Sequence, residues 1–429
     1  MKKLLLALIM TVWGLGLGAQ TVAEEIHQDI LRTASNYMAY PGPLQVSLTP
    51  APPGMKPFYI SHYGRHGSRF HTKPSMYNAP YNTLAKADSL GKLTPLGRDV
   101  MRRLDIIRHD AEGRWGELTP LGAEQVRQIA YRMFNRFPEA FEERATIDAR
   151  STSVARCIMS MEHTLLQLQQ LNPEIKIHHN ATERDLDFLN LQDKKLFALK
   201  TNDASKKLYS KFIKDTEKNT RLMQSLFNDT AYINHHVNTT ELDFQLLLIA
   251  SIMQNVELGK QITLFDLYTE DELYRNWKIG NARWYIGWGA CPVNDGVQPF
   301  TQRYLLRRII SDADSCINIP KNNITLRFGH ETVLMPLVCL LDLNGYGVAT
   351  SDLNKLESLG WVNYRIFPMA ANLQFIFYRR HPKDTDVVFK VLLNENEATL
   401  PLPTNMPPYY KWSDFREYYL KKLMSYDEK

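Results

Sequence analysis

Apolar and polar positions alternate along Phe58-Tyr59-Ile60-Ser61-His62, which predicts a strand. A proline-rich segment from Pro41 to Pro57 precedes it. The run passes straight into Gly64-Arg65-His66-Gly67, so the strand should end in a glycine-flanked loop. Two helix starts follow with one design, Thr94-Pro95-Leu96-Gly97 and Thr119-Pro120-Leu121-Gly122. In each, Thr can cap the first turn and Pro suits the first helical position. The second start leads a helix with Val126, Ile129, Ala130, Met133, Phe134 and Phe137 on one face. Ile147 lies at the end of a further strand, followed by Ser151-Thr152-Ser153. Val154, Ile158, Met161, Leu165 and Leu168 then form a helical stripe that Asn172-Pro173 stops.

The pattern changes between roughly residues 185 and 278, where helical spacing dominates, glycine is scarce and lysines crowd from Lys194 to Lys218. This predicts a mainly α-helical insertion over 185–278. Beyond it, Ile324-Thr325-Leu326-Arg327-Phe328 alternates like a strand and is followed by Gly329-His330-Glu331 and an apolar helix. Strand patterns return at Leu373 to Tyr378 and at Asp386 to Leu393. Strands interleaved with helices predict an α/β core built from residues 20–184 and 279–429.

The first nineteen residues belong to neither part. Lys2 and Lys3, an apolar run from Leu4 to Leu17 and small residues up to Ala19 form the pattern of a secretory signal peptide, cut before Gln20. The run is too short for a membrane span, so no stable membrane insertion is expected, and export to the periplasm or the medium is. Removing the segment takes away two lysines and no acids, lowering the net charge from +5 to +3. That balance gives no reason to expect nucleic acid as a partner. With 44% hydrophobic and 23% charged residues, the composition is that of a globular protein. Of the four cysteines, Cys157 and Cys339 sit in helical stripes as buried thiols. Cys291 and Cys316 are close enough to pair in an oxidising compartment, and the spacing of the four fits no metal motif.

Three segments share a layout in which a strand ends, polar groups follow and a helix or glycine turn opens. In α/β sheets, ligands bind at the carboxyl ends of strands, and helix N-termini favour anions. In Arg65-His66-Gly67-Ser68-Arg69, two guanidinium forks flank an imidazole, the combination suited to holding a phosphate beside a nucleophile. In Arg150 to Arg156, Arg156 falls in the first turns of its helix. In Gly329-His330-Glu331-Thr332, an imidazole can donate to a phosphate oxygen, and an adjacent carboxyl, kept protonated, can give a proton to a leaving alcohol.

Together these segments resemble the histidine acid phosphatases, the second branch of the histidine phosphatase superfamily, whose marks are Arg-His-Gly-x-Arg and a later His-Asp or His-Ala-Glu. Leu118 to Gly122 with Gln125 is similar to the helix that follows the family's active-site loop, and Arg156, with Ser160 four residues later, looks like its third phosphate-binding arginine. Ala371 to Phe375, Leu393-Asn394-Glu395 through Pro401, and Trp284 to Gly289 followed by Leu305-Leu306 look like the multiple inositol polyphosphate phosphatases. The resemblance implies a Rossmann-like α/β sandwich with a helical insertion that roofs the active site. It implies hydrolysis of phosphate monoesters through phosphohistidine, with His66 and Glu331 catalytic. Arg65, Arg69, Arg156 and His330 would bind the substrate, a small phosphate ester, with no metal and no cofactor. Two departures stand out. Glu331 directly follows His330, in the place of Asp, and Phe70-His71-Thr72 replace a proline expected after the second arginine.

Substrate choice stays open at this level. The lysines of 194–218 either form a basic roof suited to inositol polyphosphates or face solvent, and Trp284, Tyr285 and Trp288 either line a pocket or pack the core. His62 completes a strand or supports the nearby loop, and His71 either contacts substrate or stays apart from it. Inositol polyphosphates (phytate among them), simpler sugar-phosphate esters and a phosphate-binding protein without turnover all remain readings of the sequence.

Overall fold

The computed structural model describes residues 20–142, 145–190, 193–216, 221–384 and 386–427. The expected signal peptide lies outside the described residues. Eight strands make one sheet: β1 (Lys56–Arg65), β2 (Thr146–Ser151), β3 (Lys176–Asn180), β4 (Asn323–Gly329), β5 (Asn372–Arg379), β6 (Val388–Leu393), β7 (Asn396–Ala398) and β8 (Tyr410–Lys411). Their order is β3-β2-β4-β1-β5-β6-β7, with β8 paired to β6. The first four in that order run parallel, and β5, β6 and β7 add antiparallel.

Both faces of the central parallel strands β1 and β4 are covered, as such strands require. On one face Ile60, Ile147, Ala149, Leu326 and Phe328 meet Ala130 and Met133 of helix Pro120–Arg136 and Met161, Leu165 and Leu168 of helix Ala155–Leu171. On the other, Tyr59 and Tyr63 meet helices Arg303–Ile317 and Glu331–Leu340. The period of two along β1 thus divides its side chains between two cores. This is the expected Rossmann-like α/β sandwich.

Both Thr-Pro-Leu-Gly starts are capped as their sequence indicates. Thr94 accepts from the amide of Gly97 and Thr119 from that of Gly122. Between β3 and β4 the described residues form helices and no strand. A separate apolar cluster joins Leu222 to Leu273 of this stretch with Leu84, Val100 and Leu104, from two helices that precede β2. It meets the loop after β1, where Asn255 Oδ1 accepts from Ser68 Oγ (2.6 Å) and the Leu248 carbonyl faces His71 Nε2 (3.0 Å). The helical cluster therefore sits at the carboxyl end of β1.

No helix among the described residues is long and apolar enough to cross a membrane. All four cysteines are free thiols, so the pairing open to Cys291 and Cys316 is not made; Cys291 is buried near the Thr350 carbonyl instead.

Candidate active site

Strand register brings the two distant motifs together. β1 and β4 are parallel neighbours with Arg65 opposite Gly329, so His66 and His330 emerge side by side. Their rings lie 5.8 Å apart, edge to face. β2 pairs with the other edge of β4, with Ser151 opposite Phe328, and the helix carrying Arg156 starts just beyond. Glu331 is the first residue of its helix, directly after His330. All six residues singled out in the sequence converge here.

Close backbone contact shapes the loop. A Cβ on Gly67 would come within 2.3 Å of the Gly122 carbonyl oxygen, and one on Gly122 within 2.2 Å of that of Ser68. The second Thr-Pro-Leu-Gly is thus the wall against which the first motif folds. The Gly67 amide donates to Ser160 Oγ (3.1 Å), the Ser68 amide to Gln125 Oε1 (2.9 Å), and Thr119 Oγ1 to the Ser68 carbonyl (3.1 Å). On the other side, Tyr63 Oη accepts from the His330 amide (3.2 Å) and would meet a Cβ on Gly329 at 2.1 Å.

His66 is fully buried, with Nδ1 2.8 Å from the Gly67 carbonyl. A carbonyl only accepts, so Nδ1 carries the proton and Nε2 keeps its lone pair. Burial first, then Arg65, Arg156 and Arg69, hold the imidazole pKa well below its ordinary value, so the ring is neutral. Arg65 is anchored by Nη1 on the carbonyls of Asn36 (2.7 Å) and Phe367 (2.8 Å). Arg69 lies beneath the Tyr37 ring, 5.6 Å from its centroid. Arg65 Nη2, Arg69 Nε, Arg156 Nε and His66 Nε2 are buried without hydrogen-bond partners among the described residues. Orphaned groups of this kind in one place call for an explanation, and these fit the several oxygens of an oxyanion with an electrophilic centre.

Glu331 differs from expectation. Burial alone would raise its carboxyl pKa, but Arg65, Arg69 and His330 outweigh burial and hold it at about 2. Arg65 Nε stands 3.1 Å from Oε2, an ion-pair contact without hydrogen-bond alignment. The carboxyl is therefore ionised in this arrangement, not kept protonated. His330 is neutral, its pKa lowered to about 4 by burial above all, with Thr152 Oγ1 3.4 Å from Nε2.

The donor atoms of His66, His330 and Glu331 lie within 4.8 Å of one another, a spacing that could hold a cation. Three guanidinium groups around them make the site electropositive, and that charge selects an anion.

A cavity of about 780 Å³ opens beside the site, lined by Asn36 and Tyr37 on the catalytic side and by Lys200, Arg283, Trp284 and Trp288 on the helical side. The other described lysines of the 194–218 run are exposed. Lys200 lies 3.1 Å from the Trp288 ring centroid, and burial together with Arg283 lowers its pKa to about 7. Tyr285, by contrast, is core, its hydroxyl donating to the carbonyls of Val348 and Thr350. His71 is sealed between Tyr37 and Tyr77, and His62 packs on Phe328, so neither reaches the site. Asn36 and Tyr37 are the site residues that sequence reasoning missed; no motif surrounds them.

The chain is similar to several known phosphatases. The multiple inositol polyphosphate phosphatase 1 of Gallus gallus is 21% identical over 326 residues, 70% of this chain and 68% of its own. The multiple inositol polyphosphate phosphatase of Bifidobacterium longum, in complex with inositol hexasulfate, superposes with a TM-score of 0.76 at 18% identity, covering 90% of this chain and 97% of that one. The phytase of D. castellii gives 0.66 at 14% identity, over 92% of this chain and 84% of that one. At such identities the solved structures speak for the fold. The profile of the histidine phosphatase superfamily (branch 2) matches residues 64–394, from the strand end that carries His66 to the hairpin after β6. With that span covering well over half of the chain, the protein belongs to branch 2 of the histidine phosphatase superfamily and is a phosphomonoester hydrolase.

Proposed function

We propose that the chain hydrolyses inositol polyphosphates through a phosphohistidine intermediate, and that residues 1–19 direct its export. The observation that carries the mechanism is the neutral His66, whose unshared Nε2 pair is ringed by Arg65, Arg69 and Arg156.

In this reading the guanidinium groups and His330 hold the phosphoryl oxygens and offset the charge that repels a nucleophile. The Nε2 pair forms the N–P bond as the ester P–O bond breaks, and the leaving oxygen takes a proton from Glu331, which takes that proton up from solvent when the substrate dianion binds Arg65. Glu331 Oε2 lies 3.9 Å from His66 Nε2, so both groups can reach one bound phosphoryl ester. Water then attacks phosphorus and gives a proton to Glu331, and the N–P pair returns to His66.

The substrate class is supported by the cavity. Lys200 and Arg283 line it, on the faces of Trp288 and Phe244, beside the carboxylates of Glu241 and Asp243. Two further cations near a site that binds one phosphate suit an ester carrying several. The relatives named for inositol polyphosphates point the same way.

The test is phosphate release from inositol hexakisphosphate and from glucose 1-phosphate, at mildly acidic pH with EDTA present. Strong release from the inositol ester supports the proposal. Release from the sugar ester alone would assign the chain to simpler esters, and no release from either would overturn the catalytic reading.

A further inference from the structure

We propose that Asn36, outside the span matched by the family profile, is a positioning residue for Glu331: its side-chain amide holds Oε1, leaving Oε2 to carry the proton toward the leaving group. The inference rests on Glu331 being the proton donor, as proposed above.

The two carboxylate oxygens have different neighbours. Oε2 faces Arg65 Nε at 3.1 Å and His66 Nε2 at 3.9 Å, on the reacting side. Oε1 lies 3.4 Å from Asn36 Nδ2. An ionised carboxylate only accepts, so the amide must present its nitrogen. The bond is long, as catalytic contacts often are before substrate tightens them. Asn36 also touches the phosphate cradle by its main chain, since its carbonyl accepts from Arg65 Nη1 at 2.7 Å. One residue thus meets both the acid and an arginine.

The backbone around it is held in an uncommon shape. Ser35 has φ +59° and ψ −122°, a region that residues with a Cβ seldom adopt. Its Oγ accepts from Asn363 Nδ2 at 2.7 Å. Asn363 is fixed in turn: its Oδ1 accepts from Trp277 Nε1 (3.0 Å) and its amide donates to Asn281 Oδ1 (2.9 Å). The next residue, Tyr37, is fastened by Asn255 Nδ2 on its carbonyl (2.7 Å). Buried polar groups from the helical cluster and the segment before β5 thus define where the Asn36 side chain points. Strain kept in place by such a network, next to reacting groups, is the pattern expected of a functional constraint.

The sign of the pH effect follows from the groups facing Glu331, which are Arg65, Arg69, Arg156, His66, His330, Tyr63, Cys157 and the Asn36 amide. An N–H donated to the carboxylate favours its ionised form, so removing the amide raises the Glu331 pKa. In the enzyme–substrate complex the donor must be protonated for phosphoryl transfer, and the alkaline limb of the single-turnover rate moves to higher pH.

The experiment compares Asn36→Leu, Asn36→Asp and Glu331→Gln in single turnovers, which read phosphohistidine formation apart from the water step common to all esters, on glycerol 2-phosphate, whose leaving group needs a proton, and on 4-nitrophenyl phosphate, whose leaving group does not. Asn36→Leu should lower the single-turnover rate on the alkyl ester about tenfold, a fraction of what a general acid supplies. It should spare the aryl ester, leave inhibition by inorganic phosphate unchanged and move the alkaline limb up. Asn36→Asp keeps the side-chain shape and should move that limb further, because like charges raise a carboxyl pKa. Equal losses on both esters, or an unmoved limb in both Asn36 variants, overturn the proposal. If Glu331→Gln itself fails to separate the two esters, the reading of Glu331 falls and this one falls with it.

Discussion

Arg65 Nε lies 3.1 Å from Glu331 Oε2, so a cation we propose to bind phosphate is paired with the carboxyl we propose as proton donor. The contact links two functions that a catalytic cycle must separate. A phosphomonoester dianion competes for Arg65, and its charge disfavours an ionised carboxylate beside it. Binding of the anion and protonation of Glu331 should therefore be coupled.

That coupling is measurable with sulfate, a dianion that does not titrate near neutral pH. Sulfate binding at pH 5–7 should take up protons, seen as a buffer-dependent heat in calorimetry, and its affinity should fall as pH rises. The neutral His66 and His330 can contribute to the uptake, so Glu331→Gln is the discriminating variant: the uptake should shrink. Equal uptake in the two proteins would mean that Glu331 stays ionised when the anion binds.

His66→Ala should lower turnover by at least about 10⁴-fold, the scale on which removal of a nucleophile acts. Phosphate should still bind, because Arg65 is anchored on backbone carbonyls and does not depend on the imidazole. Acid-labile, alkali-stable label on the protein after a quenched turnover should appear in the parent and be absent from the variant. Label that persists in His66→Ala would assign the nucleophile elsewhere.

The strand ends could be read because each carried its own local chemistry. The alternation of Phe58 to His62 and of Ile324 to Phe328 fixed two strands, and the groups after each could act only at a carboxyl end. Adjacency of β1 and β4 is a long-range pairing and has no local signal; the family resemblance supplied it. Asn36 was invisible for a related reason. Its role depends on Ser35 being held by Asn363, 328 residues away in sequence, and nothing in Thr33 to Tyr37 encodes that contact. The ionised state of Glu331 likewise needs Arg65 in place, and adjacency to His330 alone suggested the opposite.

Gly122→Ala should be severely destabilising, by about 2–4 kcal/mol, because its Cβ would meet the Ser68 carbonyl oxygen at 2.2 Å. The motif loop would shift, so activity should fall with stability. Gly280→Ala is the control: nothing lies within 4 Å of its Cβ position and the residue is helical, so a gain of about 0.5–1 kcal/mol is expected. Denaturant unfolding of the two variants checks both signs. Equal midpoints would refute the close-packing argument.

Stability should fall on acidification well before the carboxylates titrate. Burial lowers the pKa of His62 and His71 to about 3 and of His330 to about 4, and holds His66 well below its ordinary value. The unfolded chain binds these protons near pH 6.5 and the folded one excludes them. The stabilisation is complete above pH 6.5 and declines as pH drops toward the folded values. Urea midpoints at pH 7, 6 and 5 should decrease, with a shallower slope in His62→Leu. A midpoint unchanged from pH 7 to 5 would contradict the neutral state assigned to these rings.

Lys200 offers the test of substrate class that touches no catalytic group. It borders the cavity that Asn36 and Tyr37 also line, with its ammonium on the face of Trp288. Its pKa of about 7 arises from burial and from Arg283, and an anion placed between the two cations would relieve both effects. Lys200→Ala should therefore raise KM for inositol hexakisphosphate about tenfold, the order of one charge-assisted contact, and leave KM for a small monoester unchanged. The pH dependence has a definite sign. The ammonium is lost as pH rises through about 7, so preference for the polyphosphate should weaken on the alkaline side in the parent and be flat in the variant. Equal changes in KM for both substrates would instead make Lys200 a packing residue on Trp288, and the cavity would then have no claim on the distal phosphates.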